Sequence, residues 1–333
     1  MLLTEAHRGP PGHGSPDPGT LAAMIAVAPT TDTTIELPDG RQLLVHEAGD
    51  LDGVPVVVHH GTPESGALYA PWADNAELEG IRLISYDRAG YGGSSRAPGR
   101  SVASVAGDLA AALDHLGVEG FLTWGMSGGG PHALACAALL PGRVHAIATI
   151  AGVAPWDAED LDAMAGMGED NVVEFGLALQ GEEALRPRLE AFRSEALTST
   201  PAGLAEQMRS LLPPVDLAAL AAGAGEHLHV SMLRGLATTV DGWLDDDLAF
   251  VRPWGFELAD VRVPALVVQG GQDLMVPASH GPWLASRLPD ATPWFDAEAG
   301  HVSPLLDIGP VHDWLLERWD NWPHPPPKAP LTR

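Results

Sequence analysis

Short apolar runs alternate with helical patterns along most of this 333-residue chain. The run VPVVVHH at 54–60 is one example, and similar runs follow at 81–86, 121–124, 144–150 and 263–268. Continuous apolar runs of this length are typical of strands buried on both faces, because helices cover both sides of a parallel sheet. The alternation predicts an α/β fold: a mostly parallel, twisted sheet flanked by helices.

Local signals add a hairpin and a flanking helix to this sheet. Segment 33–47 has two β-rich runs around Asp39-Gly40, which is a strong hairpin signal. Apolar residues recur on one helical face over 102–116, and Gly117 follows where glycine is favoured after a helix. We therefore expect the chain to enter the sheet through an antiparallel hairpin.

The alternation stops between about 153 and 250, where the sequence is helical and acidic, with breaks expected at Pro187, Pro201 and Pro213-Pro214. We expect an inserted helical domain over 153–250, with a core formed by 31–152 and 251–322. Residues 1–30 lack the features of a secretion signal and are predicted to be a disordered extension, with Met24 as an alternative start. The proline-rich end, 323–333, is predicted to be a flexible tail.

Composition excludes several classes of function. The chain has 44 acidic and 18 basic residues, a formal charge of -26, so we expect its surface to repel nucleic acids and anionic membranes. Cys136 is the single cysteine, which excludes an internal disulfide and a thiolate metal cluster and favours a cytoplasmic location. No apolar stretch approaches the roughly 18 residues of a membrane span.

Ser127 lies in TWGMSGGGPHAL, residues 123–134, between an apolar run and an Ala/Leu-rich run. Gly125 and Gly129 permit a sharp turn and a close backbone approach. This strand-turn-helix setting is the one that a nucleophile elbow requires, and the helix N-terminus would present free N–H groups to an oxyanion. Ser127 is therefore a candidate nucleophile.

A serine is a weak nucleophile at neutral pH, so this chemistry also needs a histidine base and an acid that orients it. His301 lies in the loop between the last predicted strand and the last predicted helix. Asp273 lies at the carboxyl end of a predicted strand, where α/β sheets gather their ligands. Asp296 and Asp157 are competing acids. We prefer Asp273, because five residues are too few for Asp296 to reach around the imidazole, and we expect Pro277 to start the helix that follows.

These residues in this order resemble the α/β-hydrolase family over residues 33 to about 320. His60-Gly61 is similar to the family's HG oxyanion motif, and DRAGYGGS (87–94) is similar to its D-x-x-G-x-G-x-S loop. The resemblance implies an oxyanion hole formed by the backbone N–H groups of Gly128 and Thr62, with the Thr62 side chain as an added polar contact. It also implies that 153–250 is a helical cap over the nucleophile.

The resemblance implies a serine hydrolase of small carboxylic esters or lactones that works through an acyl-enzyme and needs no cofactor. Epoxide hydrolases and haloalkane dehalogenases need a carboxylate at the elbow, where this chain has Ser127. An aminopeptidase of the proline-iminopeptidase kind is an alternative, because its relatives bind the substrate amine with acidic cap residues. The many acids of this segment include Glu159, Asp160, Glu169, Asp170, Glu182 and Glu183. Relatives that cleave carbon–carbon bonds or act as perhydrolases also use a serine triad, and a non-catalytic small-molecule receptor is a further alternative.

Other candidates are assigned structural roles. The sequence EHLH (226–229) lacks the spacing and the third ligand of a metal site, so we predict no metal. His59, His132 and Cys136 are expected to be buried structural residues. Large apolar residues of the insertion are expected to form its own core rather than contact substrate, namely Trp156, Met164, Met167, Phe175 and Trp243.

Overall fold

The computed structural model describes residues 26–320, which form one eight-stranded sheet in the order β1-β2-β4-β3-β5-β6-β7-β8. The strands are Thr31–Glu36 (β1), Gln42–Gly49 (β2), Val54–His59 (β3), Ile81–Tyr86 (β4), Phe121–Met126 (β5), Val144–Ile150 (β6), Ala265–Gly270 (β7) and Ala291–Asp296 (β8). β1 and β2 pair antiparallel with each other, as do β2 and β4. Every other pairing is parallel. The predicted mostly parallel sheet is confirmed.

Sequence periodicity located the strands to within a few residues. The runs 81–86 and 144–150 coincide with β4 and β6, whereas β5 extends two residues beyond its predicted end. The expected hairpin connects β1 to β2, and the Gly40 N–H donates to the Leu37 carbonyl at 2.9 Å inside its turn. Gly40 has a φ of +83°, which glycine adopts without steric cost.

Within residues 26–320, five α-helices outside the β6–β7 connection pack on the two faces of the sheet: Ala70–Leu78 (α1), Val105–His115 (α2), Gly129–Leu139 (α3), His280–Arg287 (α10) and Gly309–Asp320 (α11). Alternate strand residues enter separate cores. Val57 and Ile84 pack with α2, α3 and α10, whereas Val56 and Leu122 pack with α1 and α11. Both faces of the central strands are therefore buried, which explains their continuous apolar sequences.

Six further helices lie between β6 and β7: Glu169–Ala178 (α4), Glu182–Ala196 (α5), Pro201–Gln207 (α6), Pro214–Ala219 (α7), Gly225–Gly235 (α8) and Asp241–Phe250 (α9). Pro201 and Pro214 each occupy a first helical turn, where the missing N–H has no cost. The break expected at Pro187 is wrong, because α5 continues through it. Its other backbone hydrogen bonds and its packing outweigh the one that proline removes.

The ends of the chain require one correction. Residues 1–25 and 321–333, including the alternative start Met24 and the predicted tail at 323–333, lie outside the described residues. Within the predicted disordered extension, however, residues 26–28 are buried. Val27 forms a β-bridge with Tyr69, and the Ala28 N–H donates to the Leu68 carbonyl at 2.9 Å. No helix in residues 26–320 is long and apolar enough to cross a membrane.

Candidate active site

Ser127 lies on a sharp turn between β5 and α3. Its φ of +51° falls in the left-handed region, which is uncommon for residues other than glycine. The Ser127 N–H donates to the Ile150 carbonyl at 2.8 Å, which ties the turn to the end of β6. A side chain at Gly129 would collide with the His59 backbone, and one at Gly125 would collide with the Gly129 backbone. The two glycines thus allow β3, β5 and α3 to meet closely around the serine.

His301 and Asp273 are brought together by the loops that follow β8 and β7. The Nδ1–H of His301 donates to Oδ2 of Asp273 at 2.8 Å. Oδ1 of Asp273 accepts the backbone N–H groups of Met275 and Val276, each at 2.8 Å, and the Gln269 side-chain amide donates to Oδ2 at 3.2 Å. With its proton on Nδ1, the imidazole has Nε2 free to act as an acceptor.

The surroundings of His301 raise the pKa of its imidazole. Burial disfavours the charged ring, but the negative charge of Asp273 and its hydrogen bond outweigh that cost. Asp216 and Glu64 add smaller contributions of the same sign. The ring is therefore a stronger base than an ordinary histidine, and it holds its own proton to a higher pH.

The competing acids lie elsewhere. Asp157 is exposed in a turn after β6, and Asp296 is exposed at the end of β8, where its Oδ1 accepts the Glu298 N–H at 2.9 Å. The helix expected to begin at Pro277 begins instead at His280, after a series of turns. Of the three aspartates considered from the sequence, Asp273 is the one hydrogen-bonded to the imidazole.

Gly128 and Thr62, the residues expected to form an oxyanion hole, are neighbours beside Ser127. A Cβ built on Gly128 would lie 3.0 Å from both Thr62 Cβ and the Phe250 ring. The Thr62 side chain, which was expected to add a polar contact, has hydrogen-bond partners within the protein. Its hydroxyl donates to Oδ2 of Asp246 at 2.7 Å and accepts from Arg88 at 3.2 Å.

Asp246, on α9, forms the centre of a buried charge network behind Thr62. Its Oδ2 accepts from Arg88 at 2.6 Å and from the Tyr91 hydroxyl at 2.8 Å, and its Oδ1 accepts from Arg100 at 2.6 Å. Burial would raise the pKa of this carboxyl, but the two guanidinium groups outweigh it and hold the pKa well below its usual range. No sequence pattern marks this role, since three consecutive aspartates are typical of a solvated helix.

The HG motif and the D-x-x-G-x-G-x-S loop are hydrogen-bonded to each other. Nε2 of His60 accepts the Arg88 N–H at 3.1 Å. Burial lowers the pKa of His60 to about 3, so this ring is neutral. Asp87 accepts the N–H groups of Gly66 and Gly93, each at 2.8 Å. These contacts fix the loop that carries Thr62.

The helices between β6 and β7 also hold the His301 loop. Asp216, on α7, is fully buried and accepts the backbone N–H groups of His301 at 2.7 Å, of Val302 at 2.9 Å and of Ser303 at 2.9 Å. The sequence analysis did not identify this residue. Its partners lie more than 80 positions further along the chain, so no local signal could have found it.

A second set of contacts joins these helices to the loop that carries Asp273. The Gly168 N–H donates to the Leu274 carbonyl at 2.7 Å. The Asn171 side-chain amide donates to the Met275 carbonyl at 3.1 Å. The β6–β7 connection is thus hydrogen-bonded to both loops of the Asp273–His301 pair.

A cavity of about 70 Å³ lies beside Ser127 and His301. Apolar side chains form most of its wall, among them Trp72, Met126, Met208, Leu228, Met232 and Met275. Thr62, Glu64 and His227 are further polar members of the wall. The insertion residues expected to be core rather than substrate contacts are absent from this wall and pack with the main hydrophobic cluster.

His227 and His229, the two histidines of EHLH, make separate contacts. The His227 ring packs against Tyr69 and Trp72 in the cavity wall, with centroids 5.0 and 5.4 Å apart. Burial lowers the pKa of His227 to about 3. His229 hydrogen-bonds to the Ser199 carbonyl at 3.0 Å. Across residues 26–320, no group of three or more His, Cys, Asp or Glu side chains is placed to hold a metal ion.

The remaining candidates, His59, His132 and Cys136, are buried. His59 hydrogen-bonds to the Tyr86 hydroxyl at 2.7 Å, and Nδ1 of His132 donates to the Gly128 carbonyl at 2.8 Å. Burial lowers the pKa of both imidazoles well below the usual value and raises that of the Cys136 thiol. These groups are uncharged parts of the interior.

Residues 54–307 match the family model described as alpha/beta hydrolase fold, which is more than half of the chain. The chain therefore belongs to the α/β-hydrolase family and is a hydrolase of that fold. The family resemblance expected from the sequence motifs is confirmed.

Two relatives and one solved structure illustrate the similarity. The chain is 29% identical to a non-heme chloroperoxidase of Streptomyces lividans, over 78% of this chain and 89% of that protein. It is 26% identical to a bifunctional esterase/perhydrolase of Acinetobacter calcoaceticus, over 72% and 81%. The enol-lactonase of Burkholderia xenovorans LB400 superposes with a TM-score of 0.63 at 17% identity, covering 86% of this chain and all of that one. At that identity the likeness concerns the fold.

Proposed function

We propose that this protein is a serine hydrolase of small carboxylic esters or lactones that works through an acyl-enzyme intermediate. The observation that carries the proposal is the hydrogen-bonded Asp273–His301 pair in a cavity whose wall also contains Ser127. A base oriented by a buried carboxylate, next to a serine on a strained turn, is the arrangement that nucleophilic catalysis requires.

In the proposed mechanism, Nε2 of His301 removes the Ser127 proton while Oγ attacks the substrate carbonyl. The oxyanion of the tetrahedral intermediate accepts hydrogen bonds from the backbone N–H groups of Gly128 and Thr62. The imidazolium, stabilised by Asp273, then protonates the leaving alcohol, and the acyl-enzyme remains. Water, deprotonated by His301, attacks the ester of Ser127 and releases the acid, which restores both side chains.

The cavity supports a small substrate and a covering role for the β6–β7 helices. Its volume of about 70 Å³ is small, and Met208, His227 and Met232 from the β6–β7 connection form part of its wall. We propose that segment 153–250 acts as a cap that closes the cavity over Ser127. An apolar wall with few polar groups suits the acyl chain of an ester or the ring of a lactone.

The names of the relatives agree with this class of substrate, since an esterase/perhydrolase and an enol-lactonase are among the proteins that resemble this chain. The acids considered for an aminopeptidase do not support that alternative. Five of them are exposed, and the sixth, Asp170, contacts Arg188 and Ser210 on the same group of helices. None of the six is part of the cavity wall.

The test is Ser127→Ala, compared with Ser286→Ala on the exposed face of α10. We expect Ser127→Ala to lower kcat on short-chain esters by about 10⁵- to 10⁶-fold and to abolish stoichiometric labelling by a fluorophosphonate. Ser286→Ala should keep both. A folded Ser127→Ala protein that retains turnover would refute the serine mechanism.

A further inference from the structure

Glu64 places a carboxyl group in the wall of the cavity that contains Ser127 and His301. A Cβ built on Gly61 would lie 2.8 Å from Oε1 of Glu64 and 3.6 Å from Cβ of Ser127. The carboxyl group and the Ser127 side chain are therefore close neighbours, separated by little more than the space of one methyl group. The mechanism proposed above does not use this group.

The Glu64 carboxyl group is held in a defined position by α8. The Ser231 hydroxyl on that helix is fully buried near the carboxyl group and lowers the pKa of Glu64. Ser231 Oγ also accepts the Ser65 N–H at 3.1 Å, and a side chain at Gly235 would lie 2.7 Å from the Glu64 carbonyl oxygen. The backbone that carries Glu64 is therefore packed closely against α8.

Apart from the protonated form of His301, the charges around Glu64 leave its carboxylate without a cation in the cavity. The wall, which consists of described residues, contains no lysine or arginine. Arg88 is bound to Asp246, and His227 is neutral because burial lowers its pKa to about 3. Burial raises the pKa of Glu64 to about 7, although His301 and Arg88 partly offset that effect. Asp273 adds a second negative charge beside His301.

We propose that Glu64 recognises a protonated amine on the substrate, so that the preferred esters carry a cationic nitrogen close to the scissile carbonyl. A cationic nitrogen would replace the solvation that the carboxylate loses on burial. The rings of Tyr69 and Trp72 belong to the same wall and attract a cation through their faces. This inference rests on the proposed esterase function and specifies its substrate class.

The test uses pairs of esters that differ in one charged group. On the acyl side, β-alanine benzyl ester is compared with benzyl butyrate, in which a methyl group replaces the ammonium group. On the alcohol side, 2-(dimethylamino)ethyl acetate is compared with 3-methylbutyl acetate. The quantity measured is the ratio of kcat/KM for the cationic ester to kcat/KM for its neutral counterpart, in which effects on the shared chemistry cancel.

We expect the wild-type protein to prefer the cationic member of at least one pair. Glu64→Gln should lower that ratio by about ten- to a hundredfold, the range for a hydrogen bond to a charged group. Glu64→Asp keeps the charge and should retain part of the preference. The matched control is Glu77→Gln, which removes one negative charge from an exposed position on α1 and should leave the ratio unchanged.

The pH dependence of the ratio identifies the group responsible. Since protonation of His301 affects both esters equally, the ratio should rise with pH through the pKa of Glu64, about 7, between about pH 6 and 8. In Glu64→Gln the ratio should not change with pH over that range. The primary amine of β-alanine benzyl ester remains protonated over that range, so a change in the wild-type ratio for the acyl-side pair reports on the protein.

Three results would overturn the inference. The first is a kcat/KM ratio, cationic over neutral ester, that is one or less in the wild-type protein and is the same in Glu64→Gln. A second is a preference for an anionic ester, such as monobenzyl succinate, that Glu64→Gln removes, because this would show that protonated Glu64 recognises a carboxylate. If no ester is hydrolysed, the proposed function fails, and calorimetric titration with benzylamine and benzyl alcohol decides separately. The third result is benzylamine binding that is less than tenfold tighter than benzyl alcohol binding, or that is equally tight in Glu64→Gln.

Discussion

The carboxyl edge of the sheet, where β5, β7 and β8 end, and the helices between β6 and β7 contribute different parts of the candidate site. We call the first region the sheet edge. The sheet edge carries the proposed catalytic residues, Ser127, Asp273 and His301, on short loops at the carboxyl ends of parallel strands. The helices supply buried carboxylates: Asp216 holds the His301 loop, and Asp246 pairs with Arg88 and Arg100 behind Thr62. Substitutions at the sheet edge should therefore affect the chemistry, whereas substitutions in the helices should affect positioning and stability.

After Ser127→Ala, the largest expected loss comes from Asp273→Asn at the sheet edge. The Met275 and Val276 N–H groups would hold the amide oxygen, so the amide NH2 would face Nδ1 and donate to it. The imidazole would then adopt the wrong tautomer and lose its stabilising negative charge. We expect kcat to fall about 10³- to 10⁴-fold with the fold intact. Steady-state kinetics on a short-chain ester, with circular dichroism of the purified variant, measures both.

Asp157→Asn and Asp296→Asn are the matched controls for this loss. Both aspartates are exposed, so each change should cost about tenfold or less. If Asp157→Asn lowered kcat about 10³-fold or more and Asp273→Asn remained active, the acid would be Asp157 and the assignment of Asp273 would be wrong.

The sheet edge was predictable because its signals are local. A strand that is buried on both faces has a continuous apolar sequence. A nucleophile elbow requires glycines at fixed positions around Ser127. The order of Ser127, Asp273 and His301 along the chain identified the two remaining loops. The hydrogen bond between Asp273 and His301 follows from that order, once neighbouring parallel strands place both loops at one edge of the sheet.

The contribution of the helices could not be predicted, because it consists of pairings between distant residues. Asp246 and Arg88 are separated by 158 positions, and Asp216 and His301 by 85. An aspartate in an acidic helix has the same sequence appearance whether it faces solvent or an arginine. Asp246 could not be predicted as a partner of the Thr62 hydroxyl for the same reason, because no local sequence signal connects the two residues.

Two adjacent aspartates of α9 provide the second prediction, which concerns stability. Asp246→Asn would leave Arg88 and Arg100 buried without their partner, and we expect the free energy of unfolding to fall by about 3–5 kcal/mol. Urea denaturation at pH 8 measures this loss. A decrease below about 1 kcal/mol would show that the network is not the stabilising element of these helices.

Asp247→Asn is the control for that comparison. Asp247 is buried beside Glu174, and burial together with that neighbouring carboxyl raises its pKa well above the usual value. A folded-state pKa above the unfolded value means that this group costs stability as pH rises from the unfolded pKa, about 3.9. Asp247→Asn should therefore be neutral or stabilising at pH 8, the opposite of Asp246→Asn.

The third prediction concerns Asp216→Asn, which alters the hold of the helices on the His301 loop. An asparagine keeps one accepting oxygen but replaces the other with a donor that faces backbone N–H groups. Leaving one such N–H group without an acceptor should lower the free energy of unfolding by about 1–3 kcal/mol. The displaced loop should lower kcat by about tenfold. Asp170→Asn in the same helices is the control, because the partners of Asp170, Arg188 and Ser210, do not touch the loop.

The smallest expected effect is a change in the pH profile of the reaction. His301 must be neutral to act as a base, and Asp273 raises the pKa of its imidazole, so kcat/KM of the wild-type protein should rise with a midpoint above 6.5. Asp216 contributes in the same direction, so Asp216→Asn should move that midpoint to lower pH by less than about one unit. Asp290→Asn, at an exposed position, should not move it. A wild-type midpoint below 6.5 would mean that burial of the imidazole outweighs Asp273. An unchanged midpoint in Asp216→Asn would limit the role of the helices to holding the loop in place.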